Sequence, residues 1–244
     1  MMDPSITAKY AELEREHWWL LGRREIVRSQ VERRFGGLEG LRVLEIGCGS
    51  GENLRALGAG CATLGVEPDP GLREIGIDRG TRVLAGALPR DLPQGMGAFD
   101  VVMLLDVLEH VEDDAAALRA CAELVTSRGA VLITVPAAPW LWSRHDVYAG
   151  HKRRYRARSL RDAARRAVLA VERLSHYNCL LFAPFVAARL VDKLCRRAGG
   201  PPDFTPPAKP VNSALRACLV FESRLLARVN LPWGGSLLAW LKPG

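Results

Sequence analysis

Two groups of residues in this 244-residue chain have types and spacings that can do chemistry. The first is Val43-Leu44-Glu45-Ile46-Gly47-Cys48-Gly49-Ser50-Gly51, an apolar run that breaks into glycines at alternate positions. Without Cβ atoms the backbone there can approach a ligand closely, and the N–H groups that open a following helix attract polar acceptors. Glu67 ends the next apolar run, 20 positions after Gly47. A carboxylate at that distance can accept both ribose hydroxyls of a nucleoside. The second group is His145, Asp146, His151, Arg154 and Tyr155, two imidazoles with a carboxylate, a guanidinium and a phenol inside eleven residues. A histidine titrates near neutrality and can take a proton, and a neighbouring carboxylate can orient it. His110 is a further single imidazole. No third ligand accompanies His145 and His151 at metal-site spacing, so no metal is expected.

The glycine spacing bears on the ligand. A dinucleotide fold calls for a glycine at position 52, where this chain has Glu52 beside the place a pyrophosphate would sit. Glu45, two residues before Gly47, suits a cationic group instead. S-adenosylmethionine has that chemistry: an ammonium, a sulfonium, two ribose hydroxyls and no phosphate.

The elements that must position these groups read as an alternating series. Residues 5–35 have helical spacing and are interrupted at Gly22, which predicts two helices, the first short and ending in His17-Trp18-Trp19. Strands are expected at 41–46, 61–66, 82–84, 99–105 and 130–135, with helices at 52–57, 70–79 and 113–127 between them. That order implies βαβ units and a parallel sheet covered on both faces. A long loop without regular structure, 136–157, carries the second group. Then come a helix at 160–167 capped by Ser159, a strand at 168–176, a helix at 180–195 and an irregular Pro-rich connector at 199–210. A helix at 212–229 and a strand within 233–241 complete the chain.

The composition, 48% hydrophobic and 25% charged, is that of a globular protein. No apolar run reaches the roughly 18–20 residues that span a bilayer. The N-terminal stretch is polar and unlike a signal peptide. Six scattered cysteines without a CxxC pair argue against a disulfide framework and fit a reducing cytoplasm. The net charge of +7 is concentrated in nine Lys and Arg residues between Lys152 and Arg173. Only Tyr155 interleaves an aromatic, where a nucleic-acid surface interleaves several, so the run reads as a solvated helix face with arginines that fix a loop.

The blocks LEIGCGSG, GVEPD, FDVVMLLDVLEHVEDD and RGAVLITVP resemble class I S-adenosylmethionine-dependent methyltransferases. HWWLLGRR, PWLWSRHDVYAGHKRRY and LPWGGSLLAW extend the likeness to a bacterial subgroup over nearly the whole chain. The resemblance implies an α/β, Rossmann-like fold. Its seven-stranded sheet ends in an antiparallel strand, with an N-terminal helical lid and helical insertions before that strand. It implies a single domain: lid 1–37, core sheet 38–176, helical cap 177–230 and final strand 231–244. Implied cofactor contacts are Glu45, Gly47, Cys48, Gly49, Gly51, Glu67, Pro68, Leu105, Asp106 and Val107. Gly86-Ala87-Leu88 stands where relatives carry Gly-Asp, so the adenine contact falls to backbone groups there or to Asp91. Arg23 is a candidate partner for the cofactor's carboxylate. Trp18, Trp19, Trp142 and Arg154 are candidate substrate contacts, and His145, Asp146, His151, Tyr155 and His110 candidate catalytic groups.

The function implied is methyl transfer to a small-molecule acceptor, of hydrophobic natural-product or lipid-like character. An RNA-directed methyltransferase and a non-catalytic S-adenosylmethionine-binding module are the alternatives. The expected molecule is cytoplasmic, monomeric or homodimeric, without a nucleic-acid partner, with peripheral membrane contact left open by the apolar helices and their basic ends.

Overall fold

A computed structural model describes residues 4–194 and 205–244. Cys195, the basic pair Arg196-Arg197 and the first half of the Pro-rich connector lie outside the described residues. Seven strands form one sheet: β1 Arg42–Ile46, β2 Ala62–Glu67, β3 Val83–Ala85, β4 Phe99–Leu105, β5 Val125–Pro136, β6 Leu169–Tyr177 and β7 Ser236–Pro243. Their order is β3-β2-β1-β4-β5-β7-β6. β1 to β5 pair in parallel, and β7 inserts antiparallel between β5 and β6. The expected α/β sheet with a returning last strand is the one observed. The strand order reverses between β1 and β4, and a crevice opens outside their carboxyl ends, where α/β folds bind ligands.

Helices cover both faces. α1 Pro4–Glu16 and α2 Trp18–Phe35 precede the sheet; α3 Glu52–Leu57, α4 Pro70–Asp78 and α5 Asp114–Ala122 join the early strands. α6 Arg144–Tyr148 and α7 Ala157–Arg166 follow β5, and α8 Phe182–Leu194 and α9 Lys209–Leu226 lie between β6 and β7. Local chemistry explains several starts. Asp69 caps α4 by accepting from Leu72 N at 3.1 Å, ahead of Pro70 at the first turn. Asp113 caps α5 in the same way, accepting from Ala116 N at 2.9 Å.

Four expectations change. The first two helices part at His17, not at Gly22. His17 has extended backbone and its Nδ1 accepts from Trp19 N, so His17-Trp18-Trp19 begins α2 instead of ending α1. Gly22 lies inside α2, where a Cβ would stand 2.5 Å from a side-chain carbon of Leu219 on α9. The glycine permits close helix contact rather than breaking a helix. α5 stops at Ala122 and β5 starts early, at Val125, because Val125 pairs with Phe99 of β4 ahead of a register shift. The segment 136–157 is not structureless: it holds a 3-10 turn at Pro139–Leu141 and α6. Ser159 is the third residue of α7 rather than its cap, and its Oγ accepts from Arg156 N at 2.9 Å.

The core has two parts, one per sheet face. On one, Leu44, Ile46, Val102, Leu104 and Ile133 meet Leu118 of α5 and Leu160 of α7. On the other, Val43, Val101, Met103, Leu132 and Trp240 meet Ile26, Val27 and Val31 of α2 and Leu219 and Leu226 of α9. Thus α2, expected as part of a lid over residues 1–37, is a core layer. α9, expected within a cap, is the helix that packs on it.

Candidate active site

β1 delivers Glu45 and then turns sharply. Gly47 and Gly49 adopt φ of 74° and 56°, a region costly for side-chain-bearing residues. A Cβ on Gly47 would lie 2.6 Å from Val107 Cγ2, so Val107 closes over the turn. Gly51 is the N-cap residue of α3. Glu67 ends β2 beside this loop. Its Oε2 accepts from Gly49 N at 2.9 Å and its Oε1 from Asp69 N at 3.0 Å. The carboxylate proposed for ribose therefore also holds the loop's shape. The Cys48 side chain turns away to pack against β2 within the core.

Around the loop stands a set of carboxylates. Glu45 is fully buried; its Oε1 accepts from Asn53 Nδ2 at 2.7 Å, while its Oε2 has no hydrogen-bond partner. Burial raises its pKa to about 8. Asp106, at the end of β4, has a left-handed φ of 57°, the kind of backbone strain that clusters at functional sites. It pairs with Arg23 of α2 and accepts from Thr134 Oγ1 at 3.1 Å. Glu14 of α1 reaches the glycine loop from above, accepting from Ser50 N at 3.0 Å and from Ser50 Oγ, and burial raises its pKa. Tyr10, one turn earlier, is 39% exposed as a residue, yet its phenol is pushed up by burial of its polar end and by Glu14. An acid-lined cleft of this kind repels phosphate and suits a cation. The second oxygen of Glu45 is buried and has no hydrogen-bond partner among the described residues.

The imidazole cluster lies at the neighbouring strand ends. His151 Nδ1 lies 2.9 Å from Asp146 Oδ1. Asp146, fully buried on α6, also accepts from Arg154 Nε at 2.7 Å and from Ser143 N at 2.9 Å. Burial pushes the Asp146 carboxyl up, but the bonds from His151 and Arg154 prevail and hold it below the usual carboxylate range. The His110 and His151 rings are 4.8 Å apart, and those of His145 and His151 6.2 Å. Burial and the charge of Arg189 lower His145 to about 4; burial and His151 lower His110. Both rings are therefore neutral near pH 7 and able to accept.

Other candidates are placed differently. Tyr155 is buried in the core, its hydroxyl donating to Asp114 Oδ2 at 3.2 Å, so its phenol belongs to packing rather than to the cluster. The Arg154 guanidinium is buried, with Nε donating to Asp146 and Nη1 to Ala137 O at 3.0 Å, so both of these groups are committed to the protein. Trp19 stacks on Tyr177 at 5.7 Å and Trp18 packs edge-on against Trp19; both are partly buried against the core. Trp142 is half-buried in the turn before α6. Ala87 N and O both pair with Asp91 backbone at 2.9 Å, so they are already engaged. Gly86 packs against that same stretch, and Pro68 is exposed. Leu105 is buried, with its carbonyl 3.5 Å from Arg23 Nη1.

Sequence reasoning missed Glu14, Tyr10, Asn53, Thr134 and Glu109. Glu109 is the one with a visible signal, since it adjoins His110 in the LEH triplet, yet it reads as one acid of a polar run. In the basic run, Arg153, Arg154 and Arg166 are drawn onto Asp114 and Asp146, and Arg173 onto Gln30, Asn230 and Val229 O. These arginines hold loops and helices together, as the blander expectation had it.

A profile of the family described as a methyltransferase domain matches residues 19–174. The ubiquinone biosynthesis O-methyltransferase of Sodalis glossinidius is 29% identical over 186 residues, 66% of this chain and 71% of that protein. The protein of the same name from Cronobacter sakazakii is 34% identical over 121 residues, 46% of this chain and 50% of its own length. The matched stretch thus spans half to seven-tenths of these relatives. A chain of the complex between the Haloferax volcanii Trm112 methyltransferase activator and a methyltransferase superposes with a TM-score of 0.61 at 18% identity, covering 99% of this chain and 97% of that one. At that identity the likeness shows the fold alone. The profile covers well over half of the chain and includes the glycine loop, Glu67, Asp106 and the imidazole cluster; the chain belongs to the methyltransferase-domain family, whose methyl donor is S-adenosylmethionine.

Proposed function

We propose that the chain transfers a methyl group from S-adenosylmethionine to a hydroxyl oxygen of a small, largely apolar acceptor. The observation that carries this is the adjacency of two unlike groups: the carboxylates Glu45, Glu67 and Asp106 at the ends of β1, β2 and β4, and the imidazoles of His110, His145 and His151 on the loops after β4 and β5. The relatives named for O-methyl transfer in ubiquinone biosynthesis favour oxygen as the acceptor atom.

S-adenosylmethionine supplies an activated methyl on a sulfonium, so the protein's task is mainly positioning. Glu45 holds the ammonium with its free oxygen, and Glu67 faces the ribose. Arg23 stands by for the carboxylate, with Asp106 keeping it in place. On the acceptor side, Asp146 orients His151 so that Nε2 turns away from it, toward the cluster. The hydroxyl proton passes to His151 Nε2 as oxygen bonds to the methyl carbon and the carbon–sulfur bond breaks.

The test is incubation with methyl-labelled S-adenosylmethionine and a panel of hydroxylated aromatics with and without alkyl chains. Label is expected in an ether product, with turnover rising with acceptor hydrophobicity. Cofactor binding by calorimetry without transfer to any hydroxyl would defeat the acceptor assignment. No cofactor binding at all would defeat the whole reading. RNA as acceptor would show as label in nucleic acid, with strongly salt-dependent binding.

A further inference from the structure

Glu109 stands out among the buried groups. It is 0% exposed, and neither carboxylate oxygen has a hydrogen-bond partner. A buried carboxylate left this way is costly unless something pairs with it. Its Oε1 lies 3.9 Å from His151 Nε2, and ligand atoms of Glu109, His110 and His151 all fall within 4.8 Å of one another. The second nitrogen of His151 is occupied, since Nδ1 meets Asp146 at 2.9 Å. With Nδ1 turned to Asp146, Nε2 is the ring nitrogen on the Glu109 side. A carboxylate behind a histidine is the usual outer support of a metal-bound imidazole. Arg154 and Ser143 anchor that support in turn.

We propose that Glu109, His110 and His151 form a binding site for a divalent first-row transition cation. Two imidazole nitrogens with one carboxylate oxygen favour zinc, manganese or iron over magnesium or calcium, which prefer all-oxygen shells. In a tetrahedral shell with bonds of about 2.0–2.2 Å the ligand atoms sit about 3.3–3.6 Å apart, so the longest gap closes by roughly 1.2–1.5 Å. His110 is solvent-exposed as a residue, and its ring can make that movement by side-chain rotation in exchange for its hydrogen bond with the Gly150 backbone. Three protein ligands leave coordination positions open on the side His110 faces. The chain's sequence concealed the set because Glu109 and His151 are 42 positions apart and the third ligand does not come from the loop that holds His145 and His151.

The role of such a cation rests on the proposed methyl transfer. An acceptor hydroxyl entering an open position forms a metal–oxygen bond and gives its proton to water, which prepares the oxygen for attack. With the cation bound, His151 is held as a ligand and water replaces it as the proton acceptor of the metal-free step.

Chelator-treated wild-type protein, titrated separately with Zn2+ and Mn2+ by calorimetry, is expected to bind one equivalent of each. Glu109→Gln and His110→Ala are each expected to weaken binding at least tenfold. Mn2+ binding, followed also by electron paramagnetic resonance, avoids the cysteine thiols that take zinc. His110→Ala alters an exposed side chain and guards against a folding failure in Glu109→Gln. S-adenosylhomocysteine affinity, measured in parallel, is expected to stay within twofold of wild type in both variants. Absence of a saturable Mn2+ site in wild type, or the same Mn2+ affinity in all three proteins, overturns the proposal. Metal binding without cofactor binding leaves the site standing and rejects methyl transfer; cofactor binding without metal binding does the reverse.

Discussion

At the residue scale, the candidate site is governed by buried carboxylates whose environments differ. Glu45 is pushed up to about 8 by burial, while its ordinary value in an unfolded chain is 4.5. A carboxyl raised on folding contributes stability that is fully present below pH 4.5 and lost as pH climbs through 8, at a cost on the order of a few kcal/mol. Glu45→Gln is therefore expected to be more stable than wild type at pH 8–9, by thermal melting, and indistinguishable near pH 4. A cationic ligand acts in the opposite sense, because it favours the ionised form. Cofactor affinity is expected to rise with pH between about 7 and 9 with release of a proton, and to lose that pH dependence in Glu45→Gln. Calorimetry in buffers of different ionisation heat reads the proton directly.

Asp146 differs because it is charged and fully paired. Removing it strands the Arg154 guanidinium in the interior, and breaking a buried pair in this way costs about 3–5 kcal/mol. Asp146→Asn is expected to lose that much in urea unfolding, whatever it does to turnover. A stability within 1 kcal/mol of wild type, the scale of one ordinary hydrogen bond, would show that Arg154 finds another acceptor. Asp146 was legible in the sequence as a polar neighbour of His145. Its partners were not, because adjacency along a helix does not say which side chain turns inward.

At the scale of elements, α2 and α9 decide more than their sequence patterns suggest. Gly22 reads as a helix breaker when only its neighbours in sequence are considered, since glycine weakens a helix interior by roughly 1 kcal/mol. The opposing Leu219, 197 positions later, gives it a different meaning. Gly22→Ala should gain helix propensity and still destabilise the protein, by about 1–3 kcal/mol of overpacking. The measured melting temperature is expected to fall, and the double variant with Leu219→Ala to lose less than the sum of the singles. A rise in melting temperature on Gly22→Ala alone would mean that the two helices part easily. α1 behaves differently. It buries little apolar surface and holds to the glycine loop mainly through Glu14, so its place depends on polar contacts that a ligand in the cleft would share.

At the scale of the whole molecule, no described helix is long and apolar enough to cross a membrane. The late helices nevertheless leave apolar side chains outside: Leu190 is 48% exposed, Val211 50% and Phe221 52%. Arg216, Arg224 and Arg228 stand on α9 or just after it, in a chain of net charge +7. Apolar side chains flanked by cations are drawn to anionic bilayer surfaces. The protein is expected to cosediment with vesicles rich in anionic lipid at low salt and to be released near 0.5 M salt, where the screening length is only about 4–5 Å. Equal sedimentation with zwitterionic vesicles would point to general stickiness, and none with either would leave these side chains to another partner.

The returning last strand came from the family resemblance; the sequence by itself determined the alternation of strands and helices, the parallel pairing that such alternation implies, and the glycine turn with its two acids. These are short-range properties. Apolar period, turn glycines and strand-end carboxylates all act within one βαβ unit, where neighbours in space are neighbours in the chain. Only the tertiary structure decided that Tyr155 is a core residue, that α2 is a layer and not a lid, that Glu14 stands on the glycine loop, and that Glu109 faces His151. Each of those outcomes depends on which distant segment arrives opposite a residue. Packing removes water from one side of a polar group and supplies or withholds its partner, and no local pattern carries that information.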